Sequence, residues 1–174
     1  MEADTGENSG WQAIADLGSN TFQLLIGRNV NGKIEIGFKA KIGVGFGKKS
    51  LSNGRITPEA MEKGKKALRE FAGILKEFDL LPADCQTFGT STFRSIENLD
   101  LLKDEIKKET GFQIQVIYGQ READLIFSGV RASGALRREE TQLVIDIGGG
   151  SVEFIKCDGL NPVWKHSFEI GGIR

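Results

Sequence analysis

Residues 12–17 and 22–28 are mostly apolar and residues 33–43 alternate between apolar and polar positions, and runs of this length predict three β-strands. Asn29-Val30-Asn31-Gly32 joins the second strand to the third as a hairpin turn. The spacing then becomes helical. Thr57 and Pro58 stand in cap and first-turn positions, and Met61, Gly64, Leu68, Phe71, Ala72, Leu75 and Phe78 recur along one face. Residues 85–89 read as a strand ending at Thr90-Ser91-Thr92. A helix over about 96–110 follows, closed by Gly111, and then a short strand over 114–117, broken by Gly119. A helix over about 120–132 carries Ala123, Ile126, Phe127 and Val130 on one side, and strands over 142–147, 152–157 and about 163–170 follow. The strand meander that opens the chain thus recurs near its other end. This order predicts an internally duplicated α/β protein: one whole lobe and the opening of a second.

The two meanders share more than their strands. AIADLGSNTF and VIDIGGGSVEF both run from an apolar strand through Asp-x-Gly into a tight turn of small residues, then into a second apolar strand. Gly18 in the first turn, and Gly148, Gly149 and Gly150 in the second, allow main-chain N–H groups to approach an anion. Ser19, Asn20, Thr21 and Ser151 add small side-chain donors. Asp16 and Asp146 would repel a phosphate unless a divalent cation stood between, held directly or through water. Strands, not helices, follow both turns, so neither is a P-loop or a Rossmann turn. One such turn alone would read as an ordinary hairpin. Two with the same Asp-x-Gly read as opposite sides of a phosphate clamp.

Other candidates carry less weight by themselves. Glu122 falls in the first turn of its helix, where the dipole favours an ionised carboxylate. From position alone it reads as a surface residue complementing that dipole, with activation of a water as the alternative. Glu153 follows Ser151 by two positions in a strand, and reads either as a metal or water ligand or as a solvent-facing residue. Arg94, just after three hydroxyl residues, suits phosphate oxygens. Asn98 reads as a helix cap or a site residue, and Lys41, Lys48, Lys49 and Arg55 as a solvated surface around a glycine-rich loop or as holders of an extended polyanion. His166 is the only histidine and has no triad or ligand context.

Composition narrows the classes. A net charge of -1 over 174 residues gives no global basic field to recruit nucleic acid or an acidic membrane. Cys85 and Cys157 lack metal-ligand spacing and read as reduced, buried thiols. Residues 1–10 are polar and acidic, unlike a signal or transit peptide, and read as a loose tail. A cytoplasmic location is the expectation.

The segments AIADLGSNTFQLLIG, KIGVGFGKKSLSNGRITPEAMEKG, FGTSTFRSIEN, FQIQVIYGQREADLIFSGV, LVIDIGGGSVEFI and SFEIGGIR resemble, in order and spacing, the exopolyphosphatase and guanosine pentaphosphate phosphatase (Ppx/GppA) family. The resemblance implies the actin-like (ribonuclease H-like) ATPase fold. It places a complete first lobe at 11–117 and the beginning of a second at 118–174. It also implies hydrolysis of a phosphoanhydride between the lobes, assisted by Mg²⁺ or another divalent cation. On it, Glu122 matches the general base, which reverses the reading from position alone. Asp16, Asp146 and Glu153 match acidic residues around metal and attacking water, and Gly18, Ser19, Asn20, Arg94, Gly148, Gly149, Gly150 and Ser151 match phosphate contacts. Tyr118 and Arg121 depart from the family pattern. The implied partner is polyphosphate or guanosine pentaphosphate, with a homodimer allowed and neither nucleic acid nor membrane expected. An actin-like kinase and a non-catalytic polyphosphate- or nucleotide-binding module are the alternatives, and these 174 residues by themselves are expected to be weakly active or inactive.

Overall fold

A computed structural model describes residues 10–46 and 54–172. The expected loose tail, apart from Gly10, and Lys48 and Lys49 lie outside the described residues. Strands β1 (Gln12–Leu17), β2 (Thr21–Val30) and β3 (Lys33–Gly43) form an antiparallel meander. Helix α1 (Pro58–Lys76) leads to β4 (Gln86–Gly89), the single-turn helix α2 (Ser91–Arg94), α3 (Leu99–Thr110) and β5 (Ile114–Val116). The five strands make one sheet in the order β3-β2-β1-β4-β5, with β4 and β5 parallel to β1. Helix α4 (Gly119–Ala132) is followed by β6 (Thr141–Ile147), β7 (Val152–Asp158) and β8 (Asn161–Phe168), a separate three-stranded antiparallel sheet. This is the actin-like α/β fold. Among the described residues no helix is long and apolar enough to cross a membrane.

Local chemistry accounts for these elements. Asn31 and Gly32 both have positive φ (52° and 81°), as a two-residue hairpin requires to match strand twist. Thr57 Oγ1 accepts from Ala60 N at 3.2 Å and Pro58 opens the first turn of α1, so one otherwise unpartnered N–H is satisfied and another is absent. The α1 stripe of Ala67, Leu68, Phe71 and Leu75 packs on the sheet face formed by Ala13, Ala15, Leu17, Phe22, Leu24 and Ile26. Each fully buried Leu, Ile or Phe among them contributes about 1.5–3 kcal/mol. The buried ammonium of Lys65 joins α1 to α3 through Glu105 and Glu109, at 2.9 and 3.1 Å.

An aromatic cluster fixes the ground beneath the first turn. Phe46 stands edge-on to Phe22 with ring centroids 5.1 Å apart, and tilted against Phe93 at 5.9 Å. Phe22 follows the turn directly and Phe93 belongs to α2, so the cluster locks those two segments together. Gly64 of α1 makes room for it, because a Cβ there would press into the Phe46 ring. On the second sheet, Ala123 and Phe127 of α4 pack against Ile155 and Cys157 of β7. Both cysteines are free and buried. The opposite face of this sheet leaves Leu143, Ile145, Ile147, Trp164 and Phe168 exposed.

Two boundaries differ from the sequence expectation, and one agrees with it. The strand expected over 85–89 ends before Thr90-Ser91-Thr92, as read from the sequence. It stops at Gly89, whose absent Cβ leaves space for Phe93, and the chain winds into α2. The following helix starts at Leu99 rather than near 96. β8 begins earlier than expected, taking in Pro162, which an edge strand tolerates because one of its sides needs no ladder N–H.

Candidate active site

The two glycine turns have the same internal bond. Gly18 N donates to Thr21 O at 3.1 Å, and Gly148 N donates to Ser151 O at 2.9 Å. Register extends the equivalence: Asp16 lies opposite Gln23 in the first hairpin, and Asp146 opposite Glu153 in the second. Glu153 is therefore the second copy's counterpart of Gln23. The turns also touch. Gly150 packs so closely on Ser19 and Ser91, themselves hydrogen-bonded at 3.0 Å, that a Cβ would overlap the Ser91 hydroxyl.

Between the turns lies a cleft of about 570 Å³. Asp16, Gly18, Ser19, Asn20, Glu122, Asp146, Gly148, Gly149, Gly150, Ser151 and Glu153 all line it, and Gln23, Thr90, Ser91 and Lys41 join them. Among the described residues, Lys41 is the one lysine or arginine in that lining. The second turn is braced by Gly171 N on Gly150 O at 3.2 Å and Gly172 N on Gly148 O at 3.1 Å, and Gly172 also lines the cleft. Asn20 O ties the first turn to the next loop by accepting from Val44 and Gly45 N at 2.9 and 3.0 Å.

The carboxylates are crowded. Asp16 Oδ1 is buried with no hydrogen-bond partner. Burial, then the nearby Asp146 carboxylate, push the Asp16 pKa up to about 6. Burial also pushes Glu122 up to about 7, with Glu153 and Asp16 adding to the rise and Arg94 opposing it. Glu153 is buried, not solvent-facing, and accepts from Ser167 Oγ at 2.6 Å. Among the described residues no three His, Cys, Asp or Glu side chains form a ready cage for a metal, so Asp16, Asp146 and Glu153 do not converge as a triad. The orphaned Asp16 oxygen beside Asp146 fits a hard cation that keeps waters and takes its remaining ligands from phosphate oxygens, the usual habit of Mg²⁺.

Arg94 departs from expectation. It does not line the cleft. Its guanidinium is turned onto carboxylates: Nη1 donates to Glu122 at 2.8 Å and to Ile117 O at 3.0 Å, while Nε and Nη2 donate to Glu169 at 3.3 and 3.0 Å. Burial works against its charge, but Glu122 and Glu169 outweigh burial and raise its pKa. Sequence reasoning missed Ser167, Glu169 and the bracing glycines Gly171 and Gly172. Ser167 was within reach, since it stands directly opposite Glu153 in the β7–β8 register. Glu169 lies past the end of β8 at Phe168, inside the strand expected over about 163–170, and alternation does not name its partner. His166 faces aromatic neighbours, stacked on Trp164 and tilted against Phe168.

A five-stranded sheet in this order, and a second meander bearing the same turn with an acidic, glycine-lined cleft between them, define a protein of the actin-like α/β class. The Ppx/GppA phosphatase family profile matches residues 25–174, and the chain belongs to that family. It is 34% identical over 162 residues to a guanosine-5'-triphosphate,3'-diphosphate pyrophosphatase of Aliivibrio fischeri, covering 92% of this chain and 32% of that protein. The structure resembles an exopolyphosphatase from Cytophaga hutchinsonii, with a TM-score of 0.86 and 42% identity over 93% of this chain and 51% of that one. It also resembles the Aquifex aeolicus Ppx/GppA family member, with a TM-score of 0.77 and 25% identity over 92% and 51%. The chain thus spans about a third of the curated relative and half of the solved ones.

Proposed function

We propose that this chain supplies the catalytic cleft of a phosphoanhydride hydrolase, which releases the terminal phosphate of inorganic polyphosphate or guanosine pentaphosphate. One observation carries the reading: two turns with the same hydrogen bond meet around a single cleft, with a raised-pKa glutamate on its wall. Backbone N–H groups of Ser19, Asn20, Gly149, Gly150 and Ser151 bind the terminal phosphoryl oxygens within turns closed by Gly18 and Gly148, and Ser19 and Ser151 add hydroxyl donors. Lys41 offers a further positive charge where a longer phosphate chain would continue. Glu122, with a pKa of about 7, accepts the proton of the attacking water, because its basicity matches that task near neutrality. Asp16 and Asp146 hold a divalent cation, with Glu153 adding negative charge nearby. When bound, that cation neutralises charge on the phosphate chain. Water is the expected acceptor, and the site is read in the complete gene product as cytoplasmic.

The test is phosphate release by the complete gene product from polyphosphates of graded length and from guanosine pentaphosphate, with and without Mg²⁺. Free phosphate released only with the cation is expected. A phosphorylated acceptor in place of free phosphate would indicate a kinase, and binding without turnover over hours a sensing module.

A further inference from the structure

We propose that Ser167 is a positioning residue for the cleft: its hydroxyl holds the Glu153 carboxylate at one setting in the cleft wall, and its contact with Gly119 sets that carboxylate against the helix bearing Glu122. The inference rests on the reading above that the cleft hydrolyses a phosphoanhydride.

The Glu153 carboxylate depends on this one hydroxyl. Glu153 lines the cleft yet is only 1% exposed. A carboxylate withdrawn this far from water needs donors, and a bond to an ionised acceptor is short and strong. Ser167 Oγ supplies it, donating to Glu153 Oε1 at 2.6 Å. Among the described residues the Glu153 side chain has no other hydrogen bond and no ion pair. The Arg94 guanidinium is turned onto Glu122 and Glu169 instead.

The backbone brings the pair together. Glu153 and Ser167 stand directly opposite each other in the β7–β8 ladder, so their side chains leave the same face as neighbours. Gly119, the first residue of α4, closes the arrangement from the other side. A Cβ there would overlap both Cβ and Oγ of Ser167. Gly119 does not have a positive φ, so this close approach, and not a turn, is what calls for glycine. Glu122 follows three positions later on α4, near enough for the Glu153 charge to raise its pKa. Ser167 thus bonds to one acidic wall of the cleft and packs on the helix that carries the other. Displacing it would move the two carboxylates relative to each other, and attack by a base-held water is sensitive to such misplacement.

The experiment is steady-state phosphate release from tripolyphosphate by the complete gene product, with a thermal melt of each variant. Ser167→Ala should lower kcat about 10- to 100-fold while KM changes little, as for a group misplaced beside the reacting atoms. Ser167→Thr, which keeps the hydroxyl, should recover most of the loss. Gly119→Ala should reproduce the Ser167→Ala defect by pushing the hydroxyl off Glu153. On a Glu153→Gln background, Ser167→Ala should cost little more, because both changes act through one carboxylate. Wild-type kcat in folded Ser167→Ala, or an equal loss on both backgrounds, overturns the positioning role. If Ser167→Ala melts below the assay temperature, Gly119→Ala decides: wild-type kcat there overturns the role. No phosphate release by the wild-type protein overturns the hydrolase reading, and the positioning role with it.

Discussion

Replacing Glu122 by Gln lowers turnover of the complete gene product by about 10²- to 10⁴-fold, the contribution of a positioned general base. The amide preserves shape and still offers Arg94 an oxygen acceptor, so folding and phosphate binding should change little. It cannot take a proton from water. The environment of Glu122 explains why such a role suits it. Burial raises its pKa, Glu153 and Asp16 raise it further, and Arg94 holds the rise to about 7. Activity should accordingly climb as pH rises through about 7 and Glu122 deprotonates, and the variant should lose that ascending limb. Steady-state phosphate release across a pH series reads both effects. Wild-type turnover in the variant would remove Glu122 from the chemistry.

The second large effect concerns stability without a divalent cation. Asp16 has a folded pKa of about 6 against a reference of 3.8, and Glu122 about 7 against 4.5. A raised carboxyl pKa means the native state keeps a proton that the unfolded chain has already released. Between these values the folded protein binds more protons, so its stability falls as pH rises. The penalty is absent below about pH 4 and complete above about pH 7. For Asp16 alone it is on the order of 3 kcal/mol, a sizeable part of a domain's total stability. Denaturant unfolding in a chelating buffer should show this decline from pH 5 to pH 8, and Asp16→Asn should flatten much of it. Mg²⁺ added at pH 8 should restore the wild-type chain, because the cation binds the charged carboxylates of the native state only. Stability that holds constant over that range would mean that Asp16 and Glu122 are not under strain.

Much of the fold could be read from the chain because its signals are local. Strand alternation, the Asn31-Gly32 turn and the Thr57-Pro58 start of α1 depend on neighbours a few positions apart, and each element formed where its pattern lay. The clamp was legible for a different reason: duplication wrote the same Asp-x-Gly turn twice, and repetition separates a site from an ordinary hairpin. Glu153 could not be resolved by period alone, since alternation gives a side of the strand but not what covers it. Ser167 and α4 cover it, and both arrive from distant positions. Arg94 was identified as a cleft candidate by its residue type, yet type says nothing about competing acceptors. Its engagement by Glu122 and Glu169 is a tertiary fact, produced by bringing α2, α4 and the segment after β8 together.

Amide NMR of the isotopically labelled chain, titrated with tripolyphosphate at fixed Mg²⁺, addresses the clamp most directly. Resonances of Gly18, Ser19 and Asn20 should shift together with those of Gly148, Gly149, Gly150 and Ser151, along curves that share one midpoint. Movement confined to one turn, or two turns responding with separate midpoints, would contradict a single phosphate held from both sides.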